Sequence, residues 1–412
     1  MQLLVLVQNL EINRTSSGLR SHKHLILYKK IFKEIDVITS TPNEFMHELN
    51  GIDYYHIEKN LNNNTSWYNH IPKSVALQNF CFGFEINEYK IIKKWINKAN
   101  SLLQTKSYDL VISLDTGSSF HAAYALHYLK KKAKFKHLMF VHDPFPLNQY
   151  PPPFKKKNSL PYRSISNFFG KVIKTADIVS FPSLMLMESM NKFYPGIHKK
   201  YFIQPHIGMP INDLRNFLPE QKSKKLPTFD KGINIVHTGS LLKERDPNFI
   251  IQGLNLLFKN HPETKNIFKL HIIGKINKHW NQQKIASNNI LVYSKRFTYL
   301  ESLEIHQNAD VLLLLEAVSD ISPIMMGKLA DYLLADKPIL ALTPNISETT
   351  RILGTDYPLL VENGNIHGIY SKLLKIYNCY KNESLQTLLP KKTAKAYVSK
   401  ENWIENLTQL II

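Results

Sequence analysis

INIVHTGSLLKERDPNFI, residues 233–250, opens as an apolar run and breaks at Gly239-Ser240. It then places Lys243 and Arg245 ahead of a second apolar stretch that begins at Pro247. The run is short, rich in β-branched residues and bounded by turn residues, as a strand buried on both faces should be. Pro247 suits the first position of a helix. Strand, glycine turn and helix in succession are the unit of a parallel α/β sheet. The amides of such a turn can hold an anion, and the two cations beyond it could neutralise a diphosphate. The same residues also suit a plain turn, with glycine freeing the backbone and both cations solvated.

Working outward, the alternation continues over the whole chain. Strands are expected at Leu3–Val7, Asp36–Thr39, Leu110–Leu114, Leu138–His142, Ile178–Ser180 and Tyr201–Gln204, with helices near 18–33, 86–104, 118–131, 163–175 and 184–193. Residues 206–232 hold three prolines and mixed charges, and read as a linker with a short helix. The rhythm then resumes with strands at Ile233–His237, Lys269–Ile273, Ile290–Tyr293, Val311–Leu315, Ile339–Thr343 and Leu359–Val361. Helices between and after them are expected near 247–259, 299–308, 325–335, 347–353, 365–378 and 392–410. The expected fold is α/β: two doubly wound, Rossmann-like domains, 1–205 and 233–391, with the C-terminal helix of about 392–412 packing back on the first. Ligands bind outside the carboxyl ends of strands in such sheets, so a cleft between facing domains is the expected site. NLNNNTS, 60–66, reads as an exposed loop.

Composition narrows the class. Hydrophobic residues make up 43% and charged residues 21% of the 412, as in an ordinary globular chain. Cys81 and Cys379 lack any ligand-like spacing, so neither a disulfide framework nor a zinc site is expected, and a reducing cytoplasm fits. The opening MQLLVLVQNLE lacks a basic leader and reads as a first buried strand. The net charge is +19, and residues 130–200 alone hold 14 Lys/Arg against 3 Asp/Glu, which is +11. Nucleic acid, an anionic membrane surface and anionic small molecules all suit such a balance. The cations are overwhelmingly Lys, with 7 Arg in all, which argues against specific base reading.

Three more constellations carry potential chemistry. SPIMMGKLADYLLADKPILALT, 322–343, sets Lys328 and Asp331 three residues apart on a helix, so both can point one way, toward a phosphate and sugar hydroxyls or as a surface ion pair. NRTSSGLRSHK, 13–23, follows the first strand; Gly18 would permit close approach of a phosphate, with Arg14 or Arg20 nearby. It fits neither a dinucleotide fingerprint nor a Walker loop. FVHDPFPLNQYPPP, 140–153, places His142 and Asp143 at a strand end, to exchange a proton, bind a hydroxyl, or serve as a structural pair. His121, after DTGSS (115–119), is a second polar candidate.

HTGSLLKERDP and MGKLADYLLADKPILAL together resemble the glycine turn and donor-binding segment of GT-B-fold glycosyltransferases, in particular the retaining family 4 enzymes that use nucleotide-sugars. The likeness covers about 233–353 well and the N-terminal half only as an α/β pattern. It implies that Arg245, with Lys328, neutralises the donor diphosphate, and that Asp331 holds the ribose hydroxyls. It further implies that Gly18, Gly239 and Ser240 border the donor, and that His142, His121 and Asp143 contact the transferred sugar. Two departures stand out. Ser240 occupies a position that is often Arg, and Pro323 replaces the first acidic residue of the usual pair, with Glu316 and Asp320 off the spacing. The resemblance implies a nucleotide-diphosphate-sugar substrate, no cofactor, and a glycan or lipid-linked acceptor. No DxD motif is present, so metal independence is expected. Rival readings are a GT-B-shaped epimerase and a non-catalytic protein that binds nucleic acid or another anionic polymer.

Overall fold

The computed structural model describes residues 1–12, 14–58, 74–117, 119–157, 159–215, 217–218, 225–277, 279–280 and 285–411. The loop expected at 60–66 lies outside the described residues. The chain divides into two compact units: 1–150 with 154–205 and 403–412, and 151–153 with 206–402. The segment 206–232, read as a linker, thus falls within the second unit.

In the first unit, β1 (Gln2–Val7), α1 (Ser16–Tyr28), β2 (Glu34–Thr39), β3 (Asp53–His56), α2 (Ser74–Phe82), α3 (Ile86–Thr105) and β4 (Leu110–Leu114) lead into the second half. That half holds α4 (His121–Leu129), β5 (His137–Phe140), α5 (Leu160–Thr175), β6 (Ile178–Phe181), α6 (Leu184–Phe193) and β7 (Tyr201–Ile203). The strands form one sheet in the order β3-β2-β1-β4-β5-β6-β7, parallel at every pairing. Leu3–Val7 and Leu110–Leu114 are buried throughout, since helices cover both faces of a parallel sheet. Sequence reading missed β3 because it is an edge strand: its DYYH carries no apolar run, and both end residues are exposed.

The second unit contains α7 (Ile211–Arg215), β8 (Ile233–Thr238), α8 (Asn248–Asn260), β9 (Phe268–Ile273), β10 (Ile290–Tyr293), α9 (Tyr299–Asn308), β11 (Val311–Leu315) and β12 (Ile321–Ser322). It continues with α10 (Gly327–Leu334), β13 (Ile339–Leu342), β14 (Ile346–Ser347), α11 (Glu348–Leu353), β15 (Leu360–Val361), α12 (Ile366–Lys381) and α13 (Lys392–Tyr397). Its main sheet is parallel in the order β10-β9-β8-β11-β13-β15, while β12 and β14 pair apart from it. Pro247 is the cap residue ahead of α8, one position earlier than expected. The single helix expected at 392–410 is two, α13 and α14 (Lys400–Ile411). Ser399 makes the break, its Oγ accepting from the Asn402 amide at 3.1 Å. Trp403 of α14 is fully buried in the first unit, with ring contacts of 5.2 Å to His24 and 5.5 Å to Tyr28. Among the described residues, no helix is long and apolar enough to cross a membrane.

Candidate functional site

In each sheet the strand order reverses beside the first strand of the unit, between β1 and β4 and between β8 and β11. Connections leave such a point toward opposite faces, which opens a crevice at the carboxyl ends of those two strands.

In the second unit, Gly239 follows β8 with φ +111°, and a Cβ there would lie 2.9 Å from Lys328 Nζ. Gly274, just past β9, has φ +136°, and its Cβ would lie 2.4 Å from the Gly239 carbonyl. Only glycine allows these two strand ends and the lysine to crowd together. Lys328, in the first turn of α10, donates from Nζ to the Thr238 carbonyl at 2.6 Å. Burial and the neighbouring Arg245 push its ammonium pKa down to about 7, against an opposing effect of Asp331. Arg245 is half-buried and directs Nη2 to Met326 Sδ at 3.6 Å; burial lowers its pKa, with Glu316 opposing. Lys243 and Ser240 are exposed. Of the two cations after the turn, the fold therefore brings Arg245, not Lys243, to Lys328.

Asp331 follows one turn after Lys328, and its Oδ1 accepts from the Tyr299 hydroxyl at 2.5 Å. It lines a cavity of about 440 Å³ together with Met209, Arg215, Leu303, His306 and Leu334. His306 Nε2 lies 2.6 Å from Thr238 Oγ1, and burial, with Lys328 adding to it, holds the imidazole at about 3 and hence neutral. The acidic partner absent at Pro323 has no direct substitute in Asp320, which is exposed. Glu316, at the end of β11, is buried instead. Its carboxylate accepts from Ser322 (2.5 Å), Thr343 (2.8 Å) and Thr349 (2.5 Å) hydroxyls, and burial raises its pKa. Those hydroxyls fix the Glu316 carboxyl in place, and they and Arg245 oppose the rise.

The first unit carries its own polar cluster at β1 and β4. Asp115, just past β4, accepts from the amides of Ala122 (2.9 Å) and Ala123 (3.0 Å) at the start of α4, and burial raises its pKa to about 8. His121 opens α4 with Nδ1 3.2 Å from the side-chain amide of Gln8, the residue just past β1, and Nε2 3.4 Å from Glu88 Oε1. Gln8 Oε1 accepts from His121 and from Ser119 Oγ (2.8 Å). Asp143 follows β5, and a Cβ at Gly117 would fall 1.9 Å from its Oδ2. Burial raises the Asp143 pKa, opposed by Arg20 and a hydrogen bond from Tyr150. Arg20 Nη2 also donates to the Asp115 carbonyl at 3.2 Å, whereas Arg14 stacks on Phe45. His121 and Asp143 thus flank one loop, 115–121, of which Ser118 lies outside the described residues.

His142 is buried, its ring stacked on Phe140 at 5.2 Å and 14°. Gly18 sits inside the first turn of α1, where its amide donates to Thr15 Oγ1 at 3.0 Å. A Cβ there would meet the Glu11 backbone at 2.5 Å, so the close approach it permits is made by the chain itself. Sequence reading missed Gly274, Tyr299, Gln8 and Glu88. Gly274 alone carried a signal, a glycine directly after an apolar run, as at Gly239. Among the described residues, no group of three or more His, Cys, Asp or Glu is placed to hold a metal ion.

The two reversed-order parallel sheets define a chain of the GT-B fold. Solved structures share it over the full length. Sucrose-phosphate synthase from Thermosynechococcus elongatus is 12% identical with a TM-score of 0.62, covering 100% of this chain and 98% of that one. Trehalose-6-phosphate synthase OtsA is 13% identical (TM-score 0.61; 100% and 99% covered), and Anabaena HepE in complex with UDP and glucose is 11% identical (0.63; 100% and 99%). No protein-family model and no curated protein matches the chain.

Proposed function

We propose that this chain is a glycosyltransferase that moves a sugar from a nucleotide-diphosphate-sugar to an acceptor hydroxyl. The observation that carries the reading is the convergence of Arg245 and Lys328 at the Gly239–Gly274 strand ends, with Asp331 one turn further along α10. Two crowded cations, both with their charge disfavoured by burial, are a poor resting state and a good cradle for a diphosphate. Asp331 takes the ribose hydroxyls. HepE, a structure of the same fold, holds UDP and glucose.

In this reading Arg245 and Lys328 stabilise the charge that develops on the departing nucleoside diphosphate, without a metal. Glu316 holds Arg245 in place. In the first unit, His121, set by Gln8 and Glu88, and Asp143, set by Arg20, contact the transferred sugar; His142 backs them from the Phe140 stack. Ser240 borders the diphosphate, and Gly18 lets the start of α1, the helix that carries Arg20, pack on the Glu11 backbone. The reaction retains anomeric configuration, and the acceptor is a glycan or a lipid-linked glycan of bacterial cell-surface assembly.

The test is a nucleotide-sugar panel scored by thermal shift, followed by turnover with acceptors, with and without EDTA. Arg245→Ala is expected to lower kcat/KM by roughly 100-fold, the effect of losing one preorganised charge-stabilising donor. Asp331→Ala acts mainly on donor KM. If the double variant binds and turns over donor like the parent, this site is not the donor site. Retention of polyanion binding alone, lost steeply with salt, favours the non-catalytic reading suggested by the charge of +19.

A further inference from the structure

Most of the 440 Å³ cavity that Asp331 borders lies away from the diphosphate cradle. Gly239, Arg245 and Lys328 gather at the first turn of α10, whereas Leu334 and Ala335 line the cavity at its far end. Lys328 and Ala335 are seven residues apart, about 10 Å along a helix. Gln307 and Asn308, the last residues of α9, line the same end.

The outer wall is the segment 206–215. Gly208 lets it lie on α10: a Cβ there would fall 2.5 Å from Leu334 Cδ1 and 2.6 Å from the Ala330 carbonyl. Met209 is buried, and Arg215 of α7 pairs with Glu304 of α9 at 3.0 Å. The cavity is thus walled by α7, α9 and α10, and its volume is that of a small-molecule pocket.

One buried polar atom of the lining is unpaired. His306 is 3% exposed; Thr238 Oγ1 lies 2.6 Å from its Nε2, while its Nδ1 has no hydrogen-bond partner among the described residues. A buried nitrogen left so is costly, which marks it as a contact for a polar ligand atom. The rest of the lining selects the ligand's chemistry. Arg215 is spent on Glu304, so an anion meets the Asp331 carboxylate without a compensating cation among the described lining residues. A cation meets the field of Lys328, which already acts on Asp331. An apolar ligand strands His306 Nδ1 and the amides of Asn212, Gln307 and Asn308. A neutral ligand with several hydroxyls satisfies those groups, since side-chain amides both donate and accept. Its C–H faces then fit Met209, Leu303 and Leu334.

Thr238 links the cavity to the cradle. Its Oγ1 meets His306, and its carbonyl accepts from Lys328 Nζ at 2.6 Å, one residue before Gly239. A hydroxyl bonded to His306 Nδ1 fixes which ring nitrogen carries the proton. It therefore fixes whether Nε2 donates to Thr238 Oγ1 or accepts from it. We propose that this cavity is a second binding site, for a neutral saccharide, and that its occupancy shifts donor affinity through His306, Thr238 and Lys328. The binding stands apart from the proposed sugar transfer; the coupling rests on that reading.

The experiment is saturation-transfer-difference NMR of the full chain with glucose, galactose, mannose, rhamnose and N-acetylglucosamine, each alone and with a saturating nucleoside diphosphate (UDP, then GDP). At least one sugar is expected to bind and to stay bound beside the nucleotide. It should change the nucleotide Kd by about fivefold or more, and the nucleotide should change the sugar Kd by the same factor. Gln307→Ala/Asn308→Ala, exposed changes at the end of α9, should weaken the sugar about tenfold or more through lost hydrogen bonds. Nucleotide binding without sugar stays as in the parent. Asn212→Ala gives the same direction from the opposite wall, and thermal melts matching the parent show an intact fold. With nitrogen-labelled histidine, the sugar should move one imidazole signal, the one missing from His306→Gln. Displacement of the sugar by nucleotide overturns the proposal, since the cavity is then the nucleoside end of the donor site. So does binding of none of these sugars, binding untouched by both variants, or a nucleotide Kd that is equal with and without sugar. A chain that binds neither UDP nor GDP strikes the donor reading and the coupling with it, while the sugar titration alone still decides the second site.

Discussion

At Lys328 one side chain holds both the strength and the weakness of the second-unit site. Its pKa falls from 10.5 to about 7 because burial and Arg245 outweigh Asp331. The unfolded chain keeps a proton that the folded chain has released between those values. This lysine therefore makes stability rise with pH from about 7 to about 10.5. A bound diphosphate reverses the preference by favouring the ammonium. Donor binding above about pH 7 then takes up a proton. Affinity should fall by up to about tenfold per pH unit there and level off below it. Lys328→Met should remove the slope and weaken binding at neutral pH. Titration calorimetry of a nucleotide-sugar in buffers of different ionisation enthalpy measures the proton directly, and a pH-independent affinity in the parent protein would exclude this role. Residue identity in the second unit was readable: Gly239, Arg245, Lys328 and Asp331 stand in two continuous stretches of sequence. The turn alone did not separate Lys243 from Arg245; the family resemblance singled out Arg245, which is half-buried while Lys243 is exposed.

At the scale of elements, helices and strands with strong apolar periods were legible almost to the residue, as at Leu110–Leu114, Ile290–Tyr293 and Tyr299–Asn308. Four elements escaped: β3 lies at a sheet edge, α2 leaves Leu77, Phe80 and Phe82 exposed, and β12 and β14 are two-residue strands too short to carry a pattern. α14 shows the opposite case, a helix anchored by two fully buried residues, Trp403 and Leu407. Trp403→Ala should cost about 3–5 kcal/mol, the range for deleting a large buried aromatic side chain. Urea denaturation followed at the first unit would register it. A loss well under 1 kcal/mol would mean that the helix is only loosely held.

At the scale of the whole molecule, each unit has its own sheet and its own buried core. The reading of the second unit as the donor half then has a calorimetric consequence. A nucleotide-sugar at 100 times its Kd should stabilise the transition of that unit by about 2.7 kcal/mol. Scanning calorimetry that shows donor shifting only a transition lost in first-unit variants would place donor binding elsewhere.

By itself the sequence determined the class of fold, because burial on both faces writes continuous apolar runs into every central strand of a parallel sheet. It also named the residues of the second-unit cluster, since a glycine turn and one helix turn are local objects. Only the tertiary structure decided the rest. Gly274 meets Gly239 from a different strand, Tyr299 reaches Asp331 from another helix, and Glu316 is caged by hydroxyls up to 33 residues away. Gln8, Glu88 and His121 meet across β1, α3 and α4. Such contacts arise from strand order, and strand order leaves no mark in the local pattern of residues.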